Sequence, residues 1–255
     1  MKRLLCFVVA VSALCGCSAI RNVNWDSAQL QNAAGNALTA VSLTDAQVAQ
    51  LSAQTIAEMD AKNIIDNGAY LNRLQKVMAG IDQVEGLKLN YKVYKLDEVN
   101  AFACGDGSIR VYSGLMDVMD DDQLMAIIGH EIGHVVHKDT RNAMKSAYMA
   151  AAARGVVNAA GGTIGAISQT VLGDIAESYV SSKFSQKQEF NADAYGFNFA
   201  KDHGRDPYSM YNALMKLDDL AGNARSNIIQ HMFSSHPDTQ ERAARVKAMA
   251  DKASR

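Results

Sequence analysis

The chain lacks a surplus of charge of either sign. Its 25 lysines and arginines stand against 27 aspartates and glutamates, a net charge of −2 over 255 residues. That balance offers no basic footprint for nucleic acid or for an anionic surface. Cysteine is scarce as well. Of the four present, Cys6, Cys15 and Cys17 crowd the amino terminus and leave Cys104 alone in the rest of the chain. One cysteine cannot close an internal disulfide, even in a compartment that permits them, so Cys104 reads as a small buried or half-buried residue. Long apolar runs are missing too. The run Leu4–Leu14 is too short to span a bilayer as a stable helix. The uncharged stretch 155–173 carries five glycines together with Asn158, Thr163, Ser168, Gln169 and Thr170, which makes it too polar for a lipid-facing helix. It is expected to be a water-accessible mobile insert or a packed helical hairpin.

The amino terminus has a recognisable order. A basic Met1-Lys2-Arg3 precedes the short apolar run, which ends in Leu14-Cys15-Gly16-Cys17. That is the composition of a secretory signal, and its ending resembles a bacterial lipobox with Cys17 as the lipid-modified residue. The expected division is therefore a lipoprotein-type signal peptide at 1–16, a tether rich in Ala, Asn, Gln and Ser at 17–43, and one globular domain at 44–255 that includes N-terminal helices. A lipid on Cys17 would tether the chain to a membrane without spanning it. Ser18, where an aspartate would favour the inner membrane, points to the outer one, facing the periplasm.

Hydrophobic periodicity sketches the domain. Thr44-Asp45 opens a helix carrying Val48, Leu51, Ile56 and Met59. A second helix is expected from Ala69 to about Ile81, with Leu71, Leu74, Val77 and Met78 at helical spacing. From Lys88 to Leu96 the period changes to alternation, the mark of a half-buried strand. Asn100–Ala103 and Ser108–Tyr112 flank Gly105-Asp106-Gly107 and predict a hairpin. Asp120, Asp121 and Asp122 place negative charge where a helix dipole favours it, at the start of a helix ending near Lys138. Further helices are expected at about 186–202, 207–221 and 237–250, the first two punctuated by His203-Gly204 and Pro207. There is no internal repeat. The fold class expected is α+β, mostly helical, with a small β-sheet.

The chemistry concentrates in His130-Glu131-Ile132-Gly133-His134. Two histidines four residues apart lie one turn apart on one helix face, so both imidazoles can reach one ion, and the glutamate between them can take a proton from water beside it. Leu124, Ile127, Ile128, Ile132 and Val135 give the same helix an apolar stripe, with the histidines on its border. Zinc in a catalytic site needs a third protein ligand and an open position. One zincin class supplies a histidine six residues after the second, but that position is Thr140. His137, on the same helix, would stack three ligands in a strained row. A glutamate from a later helix is the other solution. Glu189, beside Phe190, Ala194 and Phe197, is the best candidate and Glu177 its competitor. Asp193, one turn past Glu189, can accept a hydrogen bond from a ligating histidine and fix its tautomer.

These residues together resemble the HtpX-like, CAAX-prenyl-protease family of gluzincins. His-Glu-x-x-His followed by Glu189-Phe190-Asn191-Ala192-Asp193 carries the likeness. Asn100-Ala101-Phe102-Ala103 is similar to the family's edge-strand motif, and Arg110 to Met116 precedes the metal helix as it does there. Ser235-His236-Pro237 with Arg242 matches a late His-Pro…Arg motif. The likeness runs roughly from Leu43 to Val246. Val135–Asp139 departs from it by lacking a second Arg-His pair. What the resemblance implies is a zincin-like domain holding one zinc ion through His130, His134 and Glu189. Glu131 would be the proton carrier, and His236 and Arg242 would be catalytic groups that hold the oxyanion. The strand Asn100–Ala103 would pair with extended substrate, so that a proline at Phe102 should raise the apparent substrate constant. The expected partners are protein or peptide substrates and envelope assembly or protease proteins, in the service of removing misfolded or unassembled proteins. A zinc-binding assembly factor or holdase with little turnover is the rival reading, and retention of Glu131 disfavours it.

Overall fold

The computed structural model describes residues 43–153, 167–222, 232, 234–237 and 239–255. The signal peptide, Cys17 and the tether as far as residue 42 lie outside the described residues.

Helix α1 (Asp45–Lys62) opens on a capping box in which the Thr44 hydroxyl accepts from the Gln47 amide and the Gln47 side chain reaches back. Its stripe of Val48, Leu51, Ile56 and Met59 is buried. Strand β1 (Ile65–Asp66) leads to α2 (Ala69–Val77). Helix α2 stops a turn earlier than the periodicity suggests, because the chain turns through Gly80 at φ 80°. Strands β2 (Gln83–Val84) and β3 (Leu87–Lys88) form a small hairpin.

A four-stranded sheet is built from β1, β4 (Asn90–Tyr94), β5 (Ala101–Ala103) and β6 (Ser108–Tyr112), in the order β1-β4-β6-β5. Strands β4 and β6 are parallel, and the other pairs antiparallel. The single strand expected from Lys88 to Leu96 is thus two. The Leu89 amide donates to Asp82 and the Asn90 amide to Gly107, so the chain changes partner at Leu89. The β5–β6 hairpin stands as expected, with Gly107 at φ 88°, where a Cβ would lie 2.0 Å from the Lys88 carbonyl oxygen. Only glycine fits there.

Among the described residues there follow α3 (Ser113–Val118), α4 (Asp121–Val136), α5 (Asp139–Ala153), α6 (Gln169–Val180), α7 (Gln186–Asp202), α8 (Ser209–Gly222) and α9 (Thr239–Ala253). Helix α5 has no counterpart in the sequence reading. Helix α6 begins inside the uncharged stretch and packs on α5, while residues 154–166 lie outside the described residues. No helix among those described is long and apolar enough to cross a membrane.

The sheet separates two apolar clusters. Val93, Ile109 and Val111 join α2, α4, α7, α8 and α9 on one face. Tyr94, Phe102 and Tyr112 join α1, α5 and α6 on the other. Covering both faces explains why every residue of β6 is buried, and the two-residue period of a strand sends its side chains to alternate layers. Arg110, 1% exposed, is carried there by pairing both Asp60 oxygens, Nε to Oδ1 at 2.8 Å and Nη2 to Oδ2 at 3.0 Å.

Candidate metal centre

Helix α4 is built to be buried. Asp120 caps it in a second capping box with Gln123, Asp121 and Asp122 complement its dipole, and every residue from Gln123 to His134 is buried. Helix α7 lies directly against it. A Cβ on Gly196 would fall 2.6 Å from the Ala126 carbonyl oxygen, and on Gly129 and Gly133 it would fall 2.9 Å from Phe199 and Tyr195. With glycine at these three seam positions, the two backbones approach until Glu189 and Asp193 stand beside His130 and His134.

Four donor groups converge. His130, His134, Glu189 and His236 offer ligand atoms that all lie within 4.8 Å of one another, and all four residues are buried. The Nε2 atoms of His130 and His134 are 3.1 Å apart. Glu189 Oε1 is 3.4 Å from His134 Nε2, and Oε2 is 3.7 Å from His130 Nε2. His236 Nδ1 is 3.0 Å from Glu189 Oε1 and 3.3 Å from His130 Nε2. Around this cluster His130 Nδ1 lies 2.9 Å from Asp193 Oδ1, and His134 Nδ1 lies 3.0 Å from Asp139 Oδ2. Carboxylates accept those bonds, so each Nδ1 carries a proton and each Nε2 is the nitrogen turned toward the cluster. Two such nitrogens facing at 3.1 Å beside a carboxylate oxygen form a donor set for a cation between them. Imidazole and carboxylate donors suit zinc, and the residues present fit that ion.

A second tier holds the first. Arg242, 3% exposed, donates to both oxygens of Asp193 at 2.8 and 2.7 Å and reaches Glu189 Oε2 at 2.8 Å. Asp139 Oδ1 accepts from Gln188 Nε2 at 2.6 Å, and Phe184 stacks on His134 with ring centroids 4.0 Å apart. Burial penalises the Asp193 carboxylate, yet the Arg242 guanidinium holds its carboxyl below the usual range. Burial works against Glu189 in the same way, and His236, His134 and His130 hold it far below. Burial pushes the His130 imidazole down. It opposes charge on His134 too, but hydrogen bonds to Asp139 and Glu189 push that residue up to about 9, and a cation held at Nε2 would take the place of the second proton.

Glu131 is 3% exposed, and its Oε1 has no hydrogen-bond partner among the described residues. His236 Nε2 is 3.9 Å from that oxygen. The edge strand Asn100–Ala103 lines the same cleft as Glu131 and His236. Two of its backbone groups are engaged within the chain: the Ala101 amide donates to Asn100 Oδ1 at 2.9 Å, and Tyr179 donates its hydroxyl to the Ala103 carbonyl. His137 is not in the cluster. Helix α4 ends at Val136, and His137 caps it with its ring toward Tyr195. Glu177 is exposed on α6. His203 caps the end of α7. Sequence reasoning did not single out Asp139, Gln188, Tyr179 or Phe184. Only Gln188 left a legible signal, as the fourth residue of the Ser185-x-x-Gln188 capping box.

A model of peptidase family M48 matches residues 67–250. The chain belongs to that family. The M48 chain is 38% identical to Metalloprotease LoiP of Escherichia coli strain K12, over 97% of its own length and 96% of that protein's. It is 34% identical to Metalloprotease YcaL of the same strain, over 96% of both chains. Protease HtpX of Legionella pneumophila strain Corby is 27% identical over 62% of this chain and 70% of its own. The likeness to HtpX-type gluzincins therefore holds, and this M48 member is a zinc metalloendopeptidase.

Proposed function

We propose that this metalloendopeptidase is tethered in the cell envelope through a lipid on Cys17 and hydrolyses misfolded or unassembled periplasmic proteins. The convergence of His130, His134, Glu189 and His236 within 4.8 Å carries the chemical part of the reading. The lipobox-like Leu14–Cys17 carries the anchoring part.

His130, His134 and Glu189 would hold the zinc. Bound there, zinc supplies Lewis-acid chemistry, polarising a carbonyl and bringing the acidity of a water toward about pH 7. The remaining work belongs to side chains. Glu131, whose Oε1 has no hydrogen-bond partner among the described residues, takes a proton from the attacking water as the new C–O bond forms. It returns that proton to the amine as the C–N bond breaks. His236 faces Glu189 through Nδ1 and lies beside Glu131 through Nε2, 3.9 Å from its Oε1, where a ring carrying protons on both nitrogens would donate to the developing oxyanion. Arg242 acts through others, fixing His236 by its main-chain carbonyl and Asp193 by both oxygens. Asp193 and Asp139 keep the two ligand histidines in the tautomer that frees Nε2. The edge strand at Asn100–Ala103 would pair with substrate backbone, which tolerates many sequences.

Zinc stoichiometry of the purified soluble chain beginning after Cys17, with casein cleavage by that chain and by Glu131→Gln, tests the chemistry. One zinc per chain in both, with cleavage lost only in the variant, is expected. No bound metal, or undiminished cleavage by Glu131→Gln, would refute it. For the anchor, Cys17→Ser should abolish palmitate labelling and detergent partitioning, and continued labelling would refute the assignment.

A further inference from the structure

A cavity among the described residues lies beside the donor cluster rather than on it. It has a volume of about 380 Å³, on the scale of a ligand site. One wall is the last turns of the metal helix, Ile132, Val135 and Val136. The facing wall is the β2–β3 hairpin, with Val84 and Leu87. The surface between them is mainly aliphatic. Its charges lie on the rim, where Asp45 pairs with Arg141 at 2.5 Å and with Lys138 at 3.8 Å and Glu85 adds a second carboxylate, so two cations stand against two anions.

Two residues join this groove to the catalytic cleft. Ala103 and Thr140 line both. Ala103 is the last residue of the edge strand, so the groove continues the path of an extended chain beyond that strand's end. The Thr140 hydroxyl is buried, with 3% of the residue exposed, and has no hydrogen-bond partner among the described residues. A buried hydroxyl facing a cavity in that state is able to take a hydrogen bond from a ligand's backbone.

Resting on the endopeptidase reading, we propose that the groove is a substrate subsite for aliphatic side chains of an extended peptide, with Thr140 hydrogen-bonding the peptide backbone where it leaves the edge strand. A lined aliphatic groove selects by desolvation, favouring leucine, isoleucine or valine at a fixed distance from the cleaved bond. Such a site gives a preference for apolar sequences, which are exposed when a protein is unfolded and hidden when it is folded.

The test uses the full-length zinc-loaded chain carrying Glu131→Gln. Its binding to fluorescein-labelled peptides is read by anisotropy, with a single leucine moved through a serine-rich background. One leucine position should tighten binding on the order of tenfold over serine. Leu87→Glu should abolish that preference with zinc content unchanged. Val84→Glu on the same wall serves if the first variant folds poorly. Thr140→Val should weaken all peptides alike, without changing which position prefers leucine. The absence of any preferred position, or a preference that survives both wall variants, would overturn the proposal. So would finding that Leu87→Glu merely releases residues 18–42 to protease, which would give the groove to the chain's own N-terminal segment. Binding here does not depend on turnover, so a parent chain unable to cleave casein would sink the endopeptidase reading while the groove is judged on its own result.

Discussion

Gln188 ties the start of α7 to the metal helix through Asp139. Its Oε1 accepts from the Ser185 amide at 2.9 Å, closing the capping box, while its Nε2 donates to Asp139 Oδ1 at 2.6 Å. The other oxygen of Asp139 holds His134 Nδ1. A helix cap and the orientation of a metal ligand thus share one amide. Asp139→Ala should weaken zinc binding about 10- to 100-fold, and Gln188→Ala by less. The double variant should bind little worse than Asp139→Ala alone, because the two act in one line. Chelator competition measures all three, and fully additive losses would contradict the linkage.

Glu189 and His137 make a sharp pair. Glu189 stands within 3.7 Å of the Nε2 atoms of both motif histidines, whereas His137 faces Tyr195. Glu189→Ala should lose most bound zinc and His137→Ala should keep it, with circular dichroism confirming that both are folded. The opposite result would remove Glu189 from the ligand set.

Gly196 is where the two helices touch. An added methyl would meet the Ala126 oxygen at 2.6 Å and the His130 amide nitrogen at 2.9 Å. Both are backbone atoms and cannot swing aside, so α7 must retreat and carry Glu189 and Asp193 with it. Gly196→Ala should cost about 1–3 kcal/mol, a fall in Tm of roughly 2–12 °C for a domain of this size. Zinc affinity should fall as well. Lower Tm with wild-type affinity would show that the seam sets stability and not the site.

Away from the metal, Asp60 gives the stability a pH dependence. Burial raises its carboxyl, but hydrogen bonds from Arg110, Lys92 and Tyr94 outweigh that and leave it below the ordinary value. A depressed carboxyl contributes stability that is complete above the unfolded value of about 3.9 and is lost as pH falls through the folded one. Asp60→Asn should therefore be less stable than the parent at pH 7, with the gap closing below about pH 4. Denaturant unfolding at several pH values reads the difference, and a gap independent of pH would rule out this origin.

The sequence by itself determined the elements whose signals are local. Thr44, Asp120 and the apolar stripes behind them marked α1 and α4. The glycine turn marked the β5–β6 hairpin. The four-residue spacings of His130 with His134 and of Glu189 with Asp193 marked two helix faces that could share an ion. Only the tertiary structure decided what depends on who lies opposite. Strand β4 breaks from β3 at Leu89 because the partner strand changes there, and alternation reads the same on either side. Helix α5 gave no legible start, yet it brings Asp139 to His134. The late His236 and Arg242 reach Glu189 and Asp193 on α7 across 47 and 49 residues of chain, and His236 reaches His130 on α4 across 106, while the end of α4 at Val136 leaves the His137 ring beside Tyr195. Spacing along a chain fixes which side chains share a face. Which faces meet is set by burial, by the glycine seam that lets two backbones touch, and by a buried arginine that needs two carboxylates.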